Sequence, residues 1–167
     1  GQAGAIMKLF IKVIAIIFVM HVSLLFIQFV VAGSIVKKNP IKLLITMLPA
    51  YVTALGTQSS AATIPVTLRQ AIKNGVDEKL AGFVIPLCAT IHLAGSTLKI
   101  VACAFAILWM QGMPHGLDIF AGFICMLGIT MVAAPGVPGG AIMAALGLLA
   151  SMLGFNEDLQ GLMIALY

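Results

Sequence analysis

The chain has 167 residues, 62% of them hydrophobic and only 8% charged, with a mean hydropathy of +1.17. Soluble domains carry roughly a quarter charged residues, so this composition excludes a water-covered surface and makes lipid part of the solvent. The net charge of +4 does not indicate a nucleic-acid partner, because the basic residues stand at the edges of apolar runs rather than along a phosphate track.

Residues 13–36 are charge-free and exceed the about 20 residues needed to cross a bilayer. They predict a transmembrane helix over 4–36, in which His21 and Gln28 read as helix-packing residues. Residues 43–68 are also charge-free, but Gly56-Thr57-Gln58-Ser59-Ser60-Ala61-Ala62-Thr63, followed by Pro65, interrupts the apolar pattern. Small and hydroxylic side chains there compete for backbone hydrogen bonds. Each half is about a dozen residues, too short to cross at about 1.5 Å per residue. This predicts a re-entrant helical hairpin over 40–74.

The next run holds two apolar halves around His92-Leu93-Ala94-Gly95-Ser96-Thr97, with Lys99 just beyond. It predicts one broken, crossing helix over 79–113. Residues 119–156 are again charge-free, with Pro135-Gly136-Val137-Pro138-Gly139-Gly140 at their midpoint. Prolines and glycines at that density end any helix, which predicts a second re-entrant hairpin over 118–155. A last helix starts at 158–167. With no initiator Met and no signal peptide, the chain is expected to be a fragment of a longer protein. Cys88, Cys103 and Cys125 lie in apolar stretches without metal-ligand spacing and read as packing residues. The methionines read as core or lipid-facing filler, and His115 falls in a loop with no partner in view.

A hairpin over 40–74 puts both of its ends on one face, with Lys37, Lys38, Lys42, Arg69, Lys73 and Lys79. The second hairpin opens on the other face, with Asp118, Glu157 and Asp158. The excess of positive charge makes the first face cytoplasmic, although Lys8 and Lys12 fall on the other side. Hairpin plus helix thus occurs twice with opposite orientation. The expected fold is all-α and integral to the membrane, an inverted repeat with two re-entrant hairpins and a broken transmembrane helix. That architecture belongs to secondary transporters, and irregular backbone at membrane depth survives only inside protein or along a cavity.

The stretch Thr57-Gln58-Ser59-Ser60-Ala61-Ala62-Thr63-Ile64-Pro65-Val66-Thr67 resembles the serine-rich first hairpin tip of the dicarboxylate/amino acid:cation symporter family, the glutamate-transporter family. Pro86-Leu87-Cys88-Ala89-Thr90-Ile91, then Gly95-Ser96, resembles its broken seventh helix. Ala134-Pro135-Gly136-Val137-Pro138-Gly139 resembles its second hairpin tip. The resemblance covers nearly the whole chain. It implies the transport domain of a homotrimeric carrier that works by an elevator movement, with substrate between the tips and the second hairpin as outer gate. One departure concerns ions. The family usually has Asn-Met-Asp-Gly-Thr in the seventh helix, where this chain has His92-Leu93-Ala94-Gly95-Ser96. A second tip one residue shorter than usual is the other departure.

The candidate substrate-binding residues are therefore Gln58, Ser59, Ser60, Ser96, Gly136, Val137, Pro138 and Gly139. Hydroxyls and N–H groups at a half-helix start suit a carboxylate, and glycine permits close approach and hinge motion. The alternative is that both tips merely satisfy their own turns. The cation-coupling candidates are Thr90 through its carbonyl, Leu93 in place of a sulfur ligand, and His92 and Lys99, which fall with Ser96 on one face if helix geometry continues. No metal site is assigned and no cofactor is expected; the coupling ion is Na+ or H+. The expected partners are a small anionic or zwitterionic substrate and the lipid bilayer, in a multi-pass protein of the plasma or inner membrane. A passive, anion-conducting channel on the same scaffold is the alternative. An enzyme is disfavoured, because no His-Glu-x-x-His, Gly-x-Ser-x-Gly or carboxylate pair is present.

Overall fold

A computed structural model describes the backbone of residues 2–167 and the side chains from Phe10 onward. Eight helices and no strand occur among the described residues: α1 (Gln2–Val36), α2 (Pro40–Thr57), α3 (Ser60–Lys73), α4 (Glu78–Ile91), α5 (Ala94–Met110), α6 (Leu117–Val132), α7 (Gly140–Leu153) and α8 (Glu157–Leu166). The fold is all-α, one of the two architectures that satisfy the backbone within lipid.

Local chemistry sets the helix ends. Lys37 takes a left-handed φ of 54°, and the N–H of Lys38 closes back on the Gly33 carbonyl at 2.9 Å, a common helix stop. Asn39 then caps α2: its Oδ1 accepts from the N–H groups of Ile41 (2.9 Å) and Lys42 (3.3 Å), and Pro40 fills the first helical position, where no N–H is needed. Asn39→Ala is expected to cost about 1 kcal/mol, read as a lower unfolding midpoint in detergent. Asp77 caps α4 and Asn156 caps α8 in the same way.

α2 and α3 fold back on each other as a helical hairpin. The Asn74 amide, just past the end of α3, donates to the carbonyl of Leu43 at the start of α2, at 3.0 Å. The ammonium of Lys38 donates to the Asn74 carbonyl at 2.8 Å. The basic residues around both helix ends are thereby gathered at one end of the molecule. α6 and α7 form a second antiparallel pair, in which Gly122 near the start of α6 faces Met152 near the end of α7.

Two features differ from the sequence expectation. α2 has 18 residues rather than about a dozen, because the Asn39–Pro40 cap starts it before the charge-free run. It is therefore about 27 Å long, and α3, with 14 residues, about 21 Å. The first break is also shorter than the polar block. Only Gln58 and Ser59 leave helical geometry, and α3 runs on through Pro65.

The core lies around α5. Ile100, Ile107 and Leu108 of α5 are fully buried against Phe123 and Leu127 of α6, Ile142 and Leu149 of α7, and Met163 of α8. α1 is different: Ile11, Phe18, Val22, Ile27 and Ile35 are exposed. Phe10–Val36, Pro40–Thr57 and the α4–α5 stretch Glu78–Met110 are long and apolar enough to cross a membrane. An apolar surface of this extent suits lipid rather than water.

Candidate functional site

Three chain breaks separate apolar helices, and the first and third of them meet. The first is Gln58–Ser59 between α2 and α3, the second is His92–Leu93 between α4 and α5, and the third is the loop 133–139 between α6 and α7.

At the first tip a closed set of hydroxyl contacts holds the turn. Gln58 takes φ 50° and ψ 25°, a left-handed conformation that costs a non-glycine residue about 1–2 kcal/mol. Ser59 is extended and caps α3, its Oγ accepting from the N–H of Ala62 at 3.2 Å. The buried Thr63 hydroxyl donates back to the Ser59 carbonyl at 2.6 Å and lies 3.2 Å from the Thr57 hydroxyl. Gln58 and Ser60 are exposed, whereas Ser59 is buried.

The second tip touches the first through one carbonyl. The Gly136 carbonyl accepts from the Ser59 hydroxyl at 2.8 Å and from the Ala61 N–H at 3.1 Å. Gly136 is buried, and a Cβ there would stand 2.8 Å from the carbonyl oxygen of Ala89 on α4. The absence of a side chain lets this tip sit against the start of α3 and the end of α4 together. Val137, Pro138 and Gly139 are exposed, and Gly139 takes φ 73° immediately before α7.

The other expected residues divide into two groups. Thr90 is exposed, and its hydroxyl donates to the Leu87 carbonyl at 3.1 Å. His92 ends α4 with φ −112° and ψ 76°, and Leu93 follows with φ −103° and ψ 40°. Helix geometry does not continue through the break, so His92 shares no face with Ser96 and Lys99. Those two meet at Tyr167 instead. The Ser96 hydroxyl lies 2.7 Å from the Tyr167 hydroxyl, the Lys99 ammonium donates to the Tyr167 carbonyl, and that ammonium stands 4.6 Å from the ring centroid. A cation held over an aromatic face is stabilised by about 1–2 kcal/mol when desolvated. The structure thus brings Ser59 and Gly136 together, and Ser96 and Lys99 together, as separate clusters.

Sequence reasoning passed over Thr57, Thr63, Ala61 and Ala89. A hydroxyl four residues after a helix cap is a readable signal for Thr63. The backbone groups of Ala61 and Ala89 carry no side-chain signal at all. Among the described residues no group of three His, Cys, Asp or Glu is placed to hold a metal ion. A cleft of about 900 Å³ lies elsewhere, between α1, α5 and α6, lined by apolar residues such as Val101, Phe105 and Trp109. It contains none of the tip residues.

The chain is 41% identical over 101 residues to excitatory amino acid transporter 3 of Mus musculus, covering 60% of the chain and 18% of that protein. It is 31% identical over 140 residues to the serine/threonine transporter SstT of Acinetobacter baylyi, covering 82% of the chain and 34% of that protein. It is 40% identical over 79 residues to human excitatory amino acid transporter 2, covering 47% of the chain and 14% of that protein. The chain therefore spans about a third or less of the length of these relatives. A sodium:dicarboxylate symporter family model matches residues 2–167. With that match running from its second residue to its last, this multi-pass membrane chain belongs to the sodium:dicarboxylate symporter family.

Proposed function

We propose that the chain is the substrate-carrying part of a secondary active symporter for a small dicarboxylate or amino acid, coupled to a cation that is Na+ or H+. The observation that carries this reading is the contact between the two tips. The Ser59 hydroxyl and the Ala61 N–H, both at the start of α3, converge on the Gly136 carbonyl. A helix start with unpaired donors favours an anion. The carbonyl stands where a substrate carboxylate oxygen would stand, so an arriving anion competes for the same two donors. The second tip then re-seats over the bound anion against α3 and α4, which is how a gate closes on its ligand. Gln58, Ser60 and the exposed residues Val137, Pro138 and Gly139 border the contact and would complete the enclosure.

Depth supports two re-entrant hairpins. The α4–α5 stretch has 33 residues, and its break lies about 21 Å from its start, near the middle. Both tips meet beside Ala89, at the end of α4, so they share that depth. The hairpins and the broken helix would then move together as the carrying body of an elevator within a homotrimer. The family description and the relatives' names supply the substrate class: sodium and dicarboxylate in the former, serine, threonine and excitatory amino acids in the latter.

The test is uptake by the complete transporter in lipid vesicles, with L-aspartate, L-serine and succinate. Saturable accumulation against a gradient is expected. A linear, voltage-dependent flux would replace the carrier with a passive pore. In a background without Cys88, Cys103 and Cys125, cysteines at Lys42 and Arg69 are expected to label from the same side. A cysteine at Gln58 is expected to be protected by substrate; labelling of Gln58 from the opposite face alone would make α2 and α3 two full spans.

A further inference from the structure

His21 stands half-buried on α1, inside the first span, and its ring bridges to the start of α5. Its Nδ1 lies 2.8 Å from the carbonyl of Ile17, one turn back on the same helix, and its Nε2 lies 2.9 Å from the carbonyl of Gly95. Both partners accept and neither can donate. A neutral imidazole has one N–H, so each tautomer leaves a ring lone pair facing a carbonyl oxygen at hydrogen-bond distance. Only the imidazolium, with two N–H donors, satisfies both contacts. The absence of a side chain at Gly95 permits the approach: a Cβ there would stand 3.2 Å from Nε2 and 3.4 Å from Cδ2.

We propose that His21 is the proton-binding site of this carrier. Doubly protonated, the ring pins α1 to α5 just past the His92–Leu93 break. Proton release breaks the Gly95 contact and keeps the local one to Ile17. The inference rests on reading the chain as an ion-coupled carrier, and it names the proton as the coupled ion.

The surroundings suit reversible charging. α1 packs against α2 and α5. Lys42 and Tyr51 are the titratable residues of α2, and Lys99 and Cys103 those of α5; neither helix carries a carboxylate, and neither does α1. Nothing there neutralises the imidazolium as an ion pair would. Lys99, one turn beyond Gly95, is positive and engaged with Tyr167. The proton is held by carbonyl dipoles alone, so a change in the α1–α5 contact suffices to release it.

The test measures uptake of L-aspartate, L-serine and succinate by the complete transporter in lipid vesicles, from about pH 5.5 to about pH 8 at a fixed sodium gradient. Wild type is compared with His21→Gln, which keeps a donor for Gly95 but cannot titrate. Wild-type uptake is expected to change at least about threefold over this range and the variant profile to be flat. Nitrogen NMR of the labelled ring in bilayers is expected to show both nitrogens protonated at the acid end and one at the alkaline end. A ring with one protonated nitrogen throughout overturns the proposal, and so does a His21→Gln variant with the wild-type pH profile. A titrating ring in a protein that takes up none of the three compounds supports the proton site and sinks the carrier reading.

Discussion

Gly136→Ala is expected to abolish uptake almost completely while leaving the helices intact. The added methyl would stand 2.8 Å from the carbonyl oxygen of Ala89, with Ala61 N and Ser60 Cβ each 3.5 Å away. The first obstacle is backbone, at the end of α4, and has no rotamer to escape into. The second tip must therefore retreat, and its retreat removes the bonds from Ser59 and Ala61 to the Gly136 carbonyl. Overpacking costs about 1–3 kcal/mol, and each lost hydrogen bond about 1 kcal/mol. With two bonds lost the total is at least about 3 kcal/mol, which corresponds to a drop of about 100-fold or more in the population with closed tips. Initial uptake rates in vesicles measure it. Gly128→Ala on α6 is the control, because a methyl there meets nothing within 4 Å. A Gly136→Ala protein within about twofold of wild type, less than 0.5 kcal/mol, would remove the tip contact from the mechanism.

Much of this arrangement is legible from one sequence, for identifiable reasons. The helix breaks follow from chemistry that needs no tertiary contact. The cluster Pro135–Gly139 ends the helix before it, and Asn39–Pro40 and Asp77 are local start signals. Membrane character follows from 8% charge. Where the reading misjudged an element, the reason is equally physical. Pro65 looks like a breaker, yet it lies only five residues into α3, where the one carbonyl it leaves unbonded is a small loss beside a capped helix start. The partnership of Ser96 and Lys99 with Tyr167 joins residues about 70 positions apart, and periodicity carries no information about such pairings. His21 reads from sequence as packing, because its two partners are backbone carbonyls, invisible in side-chain identity. A meeting of the two tips is expected from the inverted repeat as well as from the resemblance, but the bonds that make it belong to Ser59, Ala61 and Gly136 and depend on where α4 ends.

Ser59 supplies the second large effect, and two substitutions separate its two tasks. Its Oγ accepts from the Ala62 N–H to start α3 and donates to the Gly136 carbonyl to join the tips. Ser59→Ala removes both. The cap loss costs about 1 kcal/mol, and the missing donor to a buried carbonyl about 1–2 kcal/mol, less than the full penalty because the Ala61 N–H remains. Ser59→Gly also deletes the tip bond, but glycine is nearly as good a helix cap, with a loss of only a few tenths of a kcal/mol. If the tip bond governs transport, both variants should show the same roughly tenfold loss in kcat/KM for uptake, although Ser59→Ala should be less heat-stable in detergent than Ser59→Gly, by roughly the cap difference of about 0.5–1 kcal/mol. If the cap is what matters, transport will follow stability, and Ser59→Gly will transport like wild type. Ser59→Thr keeps a hydroxyl able to make both bonds and is expected to stay within about threefold of wild type. A Ser59→Ala protein with normal uptake would leave the Gly136 carbonyl held by Ala61 alone, and the competition between tip and substrate for the start of α3 would have no chemical basis.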